Sequence, residues 1–318
     1  MRIREPFEWP ADKARLRRRA IVLEWATIGA MASVILVMGL VMGSSQAMRT
    51  AWFEDILGPI PAIAFLIAAR LERRPPNENF PLGYYRSMSI AYLVGATATL
   101  IVGSALLIEN VVTLVSRDRP TIGLVTVFGH DLWMGWLMIA ALVYSMLLPV
   151  ILGHLKMPIA HEIHDKVLIA DAAMLKADWM TAAAAIVGVL GIGFGLWWAD
   201  AAAAAFIAVE IVRDGVKHVW RAMRDLADQM PRTVDRAEPH PAIEAARRGA
   251  LSVDWVEDVE VELREEGHVI TGTVFVEPRP GVDVLNRLDE VKEAVCAADW
   301  RLYDPVIALV PGRHRGTR

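Results

Sequence analysis

The chain has 318 residues, 55% hydrophobic and 22% charged, with a formal net charge of −4 and a mean hydropathy of +0.36. A positive mean hydropathy at this length argues against an ordinary soluble protein, and the slight negative charge supplies no basic field for nucleic acid. The single cysteine, Cys296, excludes a disulfide framework and a thiolate zinc cluster.

Arg15, Arg17, Arg18 and Arg19 precede an apolar run over 21–41. That run is too long for the core of a signal peptide and contains Glu24, so it predicts a first spanning helix. A bilayer crossing takes about 20 apolar residues. Six stretches qualify: 21–41, 51–69, 88–115, 132–152, 167–191 and 196–216. The second carries Glu54 and Asp55 near its start and Pro59 and Pro61 within it, which predicts a kink. Arg2, Arg4, Lys13 and the arginine cluster, then Arg70, Arg73, Arg74 and Arg86, then Lys156 and Lys166 fall on one side of these spans. Arg49, Arg117 and Arg119 fall on the other. The excess of cations places both termini in the cytoplasm. The expected division is an N-terminal segment over 1–20, a six-helix transmembrane domain over 21–220 and a cytoplasmic tail over 221–318.

In the tail, Pro231, Pro239 and Pro241 mark a linker. A short helix follows at 242–248, with Gly249 placed to end it. Alternation of Val259, Val261 and Leu263 with Asp258, Glu260 and Glu262 predicts a strand, and a second runs over 268–277. Val284, Leu285, Leu288, Val291 and Val295 share one face of a predicted helix over 281–298, and a last strand covers 306–310. The order α-β-β-α-β builds a small two-layer α+β unit.

Ionisable groups at membrane depth are costly, so each is a candidate functional residue. Asp171, Met174 and Asp178 lie at i, i+3 and i+7 of the fifth span. At about 100° per residue they fall within roughly 60° of arc, so two carboxylates and a thioether share one stripe. Asp55 is placed to meet that stripe from the second span. Carboxylates suit hard or borderline divalent cations and also titrate, so proton exchange can be coupled to ion binding. The blander alternatives stay open here: the aspartates pair with Lys176, Glu54 is an interfacial helix-end charge, and Glu24 and Glu210 sit near the interface. His154, His161 and His164, beside Glu162 and Asp165, read as a metal patch or as solvated interfacial histidines. The chain contains no phosphate-cradling glycine loop, G-x-S-x-G elbow or H-E-x-x-H helix, which argues against those enzyme classes.

Six spans, a polar start to the second and the α-β-β-α-β tail resemble the cation diffusion facilitator family. The strings at 73–86 (RRPPNENFPLGYYR), 170–178 (ADAAMLKAD) and 198–201 (WADA) look like that family's loop after helix two, its fifth helix and its entry to helix six. The resemblance implies an all-α six-helix transmembrane domain plus a small C-terminal α+β, ferredoxin-like cytoplasmic domain. It further implies a homodimer in the cell (plasma or inner) membrane that exports a divalent cation by proton antiport with alternating access. It implies no enzyme activity and no prosthetic group. The family's Asp-x-x-x-Asp and His-x-x-x-Asp ligand patterns fall on Ala51 and Asp55, and on Met174 and Asp178; loop positions that often hold histidine are Phe80 and Tyr84. The expected ligands are Asp55 and Asp178, with Met174, Asp171 and Glu54 contributing. Such an oxygen-rich set with one thioether suits manganese or iron better than zinc, and the expected cation is one of manganese, iron, zinc or cobalt. A metal-sensing or regulatory homologue that does not transport is the alternative.

Overall fold

The computed structural model describes residues 4–116, 122–127, 130–233, 238–282, 284 and 286–310. The chain forms α1 (Ala11–Val41), α2 (Gln46–Leu57), α3 (Ile60–Leu71) and α4 (Ser87–Ser116), then a hairpin of β1 (Leu124–Val127) and β2 (His130–Trp133). It continues as α5 (Met134–Glu162), α6 (Lys166–Gly193), α7 (Trp197–Leu226), α8 (Pro241–Leu251), β3 (Val256–Glu266), β4 (Val269–Pro278), α9 (Leu288–Ala298) and β5 (Val306–Leu309). Arg2, Arg117, Arg119 and Leu285, used in the sequence reading, lie outside the described residues.

Two compact units result. One is Lys13–Ala68 with Ile90–Ala222, and the other is Met1–Asp12, Ala69–Ser89 and Met223–Arg318. In the first, five stretches are long and apolar enough to cross a membrane: Ala11–Val41, Gln46–Leu71, Ser87–Ser116, Met134–Glu162 and Val167–Gly193. The outward surface of α1 and α4 is apolar, with Val22, Leu36, Leu40, Ile101, Ile108 and Val115 all exposed. The expected sixth span at 196–216 falls in α7, which is amphipathic rather than apolar: Glu210, Arg213, Asp214, Lys217, Arg221 and Arg224 crowd its second half. Its other face, Ala204, Ile207, Ala208 and Ile211, joins Val34, Met38, Leu142 and Val189 in one core.

The expected kink in the second span is a break. α2 ends at Leu57 and α3 begins at Ile60, with Gly58 and Pro59 between them. Pro59 and Pro61 carry no N–H, so the carbonyls of Asp55 and Leu57 lose their usual helical donors. The short β1–β2 hairpin, which pairs Leu124 with Trp133 through Val127 with His130, takes the start of what reads in sequence as the fourth span.

In the second unit β3 and β4 are antiparallel from Val256↔Pro278 to Glu266↔Val269, and β5 adds parallel to β4 through α9. The observed order is α8-β3-β4-α9-β5. Val259, Leu263, Val274, Val276, Val291 and Val295 close around Trp255 in its core. Gly249 does not end the helix as expected; it lies inside α8, where a Cβ would come within 2.7 Å of the Ala294 carbonyl, so the glycine permits close packing on α9. The N-terminal segment belongs to this unit. Arg4 donates to Glu266 at 3.2 Å, Asp304 at 3.1 Å and Thr271 at 3.0 Å, while Phe7 and Trp9 pack on the His268 ring.

Candidate cation site

The start of α2 is held from outside its own helix. Asp200 of α7 accepts from the Ser45 hydroxyl and the Gln46 amide, both at 2.6 Å, a carboxylate where orphan amides and the helix dipole favour one. Asn110 of α4 donates to Thr50 at 3.0 Å, and the Trp52 indole donates to the Ile35 carbonyl at 2.8 Å. These contacts fix α2 on three neighbours and set Glu54 and Asp55 at its far end, just before the proline break.

α6 begins on Asp165, whose carboxylate accepts from the Val167 and Leu168 amides at 3.0 Å each. It runs very close to α5. A Cβ on Gly153 would meet the Ala172 carbonyl at 2.8 Å and Lys176 Cγ at 2.9 Å. The expected stripe on this helix faces one cavity of about 40 Å³. That space exceeds one water-sized position, which takes about 10–15 Å³, and is too small for an organic solute. All five predicted residues, Glu54, Asp55, Asp171, Met174 and Asp178, line it. Gly58 at the helix break, Thr99 of α4 and Met31 of α1 complete much of the wall. Among the described residues, the lining contains no lysine, arginine or histidine.

The carboxylates are not yet a closed metal shell: among the described residues, no three His, Cys, Asp or Glu side chains are arranged to hold an ion. Asp55 Oδ2 is buried and accepts no hydrogen bond among the described residues, so its burial is uncompensated. Asp171 differs. It is buried and accepts from Lys156 Nζ at 2.6 Å, and the same ammonium donates to Glu24 at 2.9 Å.

Lys156 thus stands apart from its expected place. The sequence puts it in a loop after the fourth span, but α5 continues to Glu162 and buries it completely. Glu24, expected near the interface, is equally buried. Asp171 pairs with Lys156, where the sequence offered Lys176. Sequence reasoning also missed Asp214 of α7 on the cavity wall. The available signal was its spacing, seven residues after Ile207 and three after Ile211, which puts a carboxylate at the edge of the apolar face of α7. His154 is exposed and His164 half-buried, and neither belongs to the cavity.

Residues 21–227 match the model of the cation efflux transmembrane domain. The chain belongs to the cation efflux family. Its members are transporters, and the five apolar helices make this one a multi-pass membrane protein. The chain is 24% identical over 169 residues to the manganese efflux system protein MneS of Bacillus subtilis, covering 53% of this chain and 54% of that one. It is 25% identical over 200 residues to the uncharacterized transporter YdbO of the same organism, covering 63% of each. An uncharacterized transporter of Methanocaldococcus jannaschii is 21% identical over 213 residues, covering 67% of this chain and 69% of that one. The matches thus span roughly half to two thirds of the relatives' length.

Proposed function

We propose that this protein exports a divalent metal cation across the cell membrane by proton antiport with alternating access. Asp55 and Asp178 bind the ion, Glu54 and Met174 complete its shell, and Asp171 contributes from the same stripe. The observation that carries this is a small cavity walled by carboxylates from three separate helical segments, with no basic residue among the described residues of its lining. An anionic cavity at membrane depth is unfavourable empty and favourable around a cation or when its acids are protonated, which is the physical basis for exchanging one for the other. The break at Pro59 supports the assignment too, because freed carbonyls and discontinuous helices recur at ion sites in transporters.

Oxygen donors with one thioether favour manganese or iron over zinc, and the name of the Bacillus subtilis relative points to manganese as the first ion to try. On the arginine and lysine distribution of its loops both termini lie in the cytoplasm, which takes an even number of spans, six; the homodimer follows from the family resemblance alone. The test is flux into proteoliposomes across Mn, Fe, Co, Zn and Cd with an imposed pH gradient. Asp178→Asn is expected to abolish metal-dependent flux and metal-driven proton movement while the protein elutes as wild type from a sizing column. Retained flux in that variant removes the site.

A further inference from the structure

Asp171 has two allegiances. Its side chain lines the cation cavity, and the same carboxylate holds the ammonium of Lys156 through Oδ2. Lys156 comes from α5 and Glu24 from α1, and both side chains are fully buried. Two carboxylates share one ammonium here, so the cluster carries one more negative than positive group when all are ionised. Glu24 uses only Oε2 on Lys156; its Oε1 is buried and accepts nothing among the described residues. Lysine presents three rotatable donors on a flexible stem, so it can lean from one acceptor to another without moving the backbone.

We propose that Lys156 is a tethered cation that competes with the transported ion for Asp171. This rests on the cation site proposed above. With the cavity empty, Lys156 satisfies Asp171 and stabilises the ion-free protein. When the ion arrives, Asp171 turns toward it and the ammonium shifts onto Glu24, whose second oxygen is available. On release the lysine returns. Lys156 therefore weakens ion binding and speeds release, acting through Asp171 as a positioning residue. Because it is already paired, it also spares the cavity a second uncompensated aspartate.

The experiment uses purified full-length protein in proteoliposomes, with Mn²⁺ as probe and KM and kcat measured separately. Glu24→Gln leaves Lys156 with Asp171 as its sole anionic partner, so the lysine holds Asp171 harder and KM for Mn²⁺ rises by about tenfold, the shift expected from one altered close charge pair. Lys156→Met combined with Glu24→Gln removes the competitor without stranding Glu24 as a buried charge. Its KM falls by about tenfold and its kcat falls with it, because release slows. Damage to packing alone would move both variants the same way. KM shifts of the same sign, or no shift in either variant, overturn the proposal. Should the double variant fail to assemble, an unchanged KM in Glu24→Gln is enough to overturn it, and a raised KM upholds it. Asp178→Asn separates the two levels. If that variant keeps wild-type flux, the cation site and the tethered cation fall together. If it loses flux while KM stays fixed in the Glu24 and Lys156 variants, only the tethered cation falls.

Discussion

Two acids lie on the same face of α6, about two turns apart, and their surroundings are opposite. Asp171 is met by a lysine that also binds Glu24, while Asp178 faces Asp55 and Glu54 across a cavity whose lining offers no cation. The first set is compensated within the fold. The second holds carboxylates whose charge the protein does not balance locally, and Asp55 keeps an unengaged buried oxygen. A buried charge left without a partner costs stability, so the second arrangement makes physical sense as a place for a mobile partner. On the proposed reading, compensated acids are part of the architecture and uncompensated acids are left for the transported ion.

The comparison breaks most sharply at Lys156. Replacing it alone by methionine strands Glu24 and Asp171 together in a dry interior, a change that typically costs about 3–5 kcal/mol. Lys156→Met is therefore expected to lower the thermal midpoint in detergent sharply or to prevent assembly. Asp178→Asn and Asp55→Asn remove acids that have no cation partner among the described residues, and their midpoints should equal or exceed the wild-type value. Equal losses in all three variants would erase the distinction between the two sets.

That distinction was only half legible in the amino-acid sequence. Long apolar runs announced the spans, because lipid demands about 20 residues of uniform hydropathy. The stripe Asp171-Met174-Asp178 followed from helical spacing alone, and the cavity receives all three. Lys156 was hidden for two reasons. It lies past the apolar run ending near 152, two residues after His154 and two before Pro158, so it reads as loop, whereas the helix runs on to Glu162. Its partner Glu24 is 132 residues away, and no local pattern reports such a pairing. The β1–β2 hairpin was missed because its alternating residues merge into the apolar start of the next helix. The docking of Phe7 and Trp9 on His268 is a tertiary contact that composition does not encode.

A gentler change tests the balanced set without altering a charge. Gly153 lets α5 approach α6, and a Cβ there would sit 2.8 Å from the Ala172 carbonyl and 3.0 Å from the Lys176 amide. Gly153→Val forces the helices apart and stretches the reach of Lys156 to Asp171. Overpacking of this kind costs about 1–3 kcal/mol, so the midpoint should fall by less than in Lys156→Met. Glu24→Gln added to Gly153→Val should then cost less than the two separately, since the contact it weakens is already loosened. Strict additivity would mean that Gly153 does not support the lysine cluster.

The smallest effect belongs to charges that water already compensates. In the second unit, Arg287 grips Glu290 through both oxygens at 2.9 Å and reaches Asp254 at 2.8 Å. These hydrogen bonds hold the Glu290 carboxyl below its ordinary value of 4.5, and the same bonds raise Arg287. The folded state therefore binds that proton more weakly than the unfolded chain does. The stability gained is complete above pH 4.5 and disappears as pH falls through the lower folded value. Both groups are exposed, so salt and solvent screen the gain. Glu290→Gln keeps an amide oxygen for the Trp255 indole, which donates to Glu290 at 3.2 Å, and removes only the charge. The expected midpoint drop at pH 7 is roughly a degree, vanishing in 1 M salt and once acid has protonated Glu290 in the folded state. A loss as large as that of Lys156→Met, or one that persists in acid, would mean that this pair is held in a drier setting than its exposure indicates.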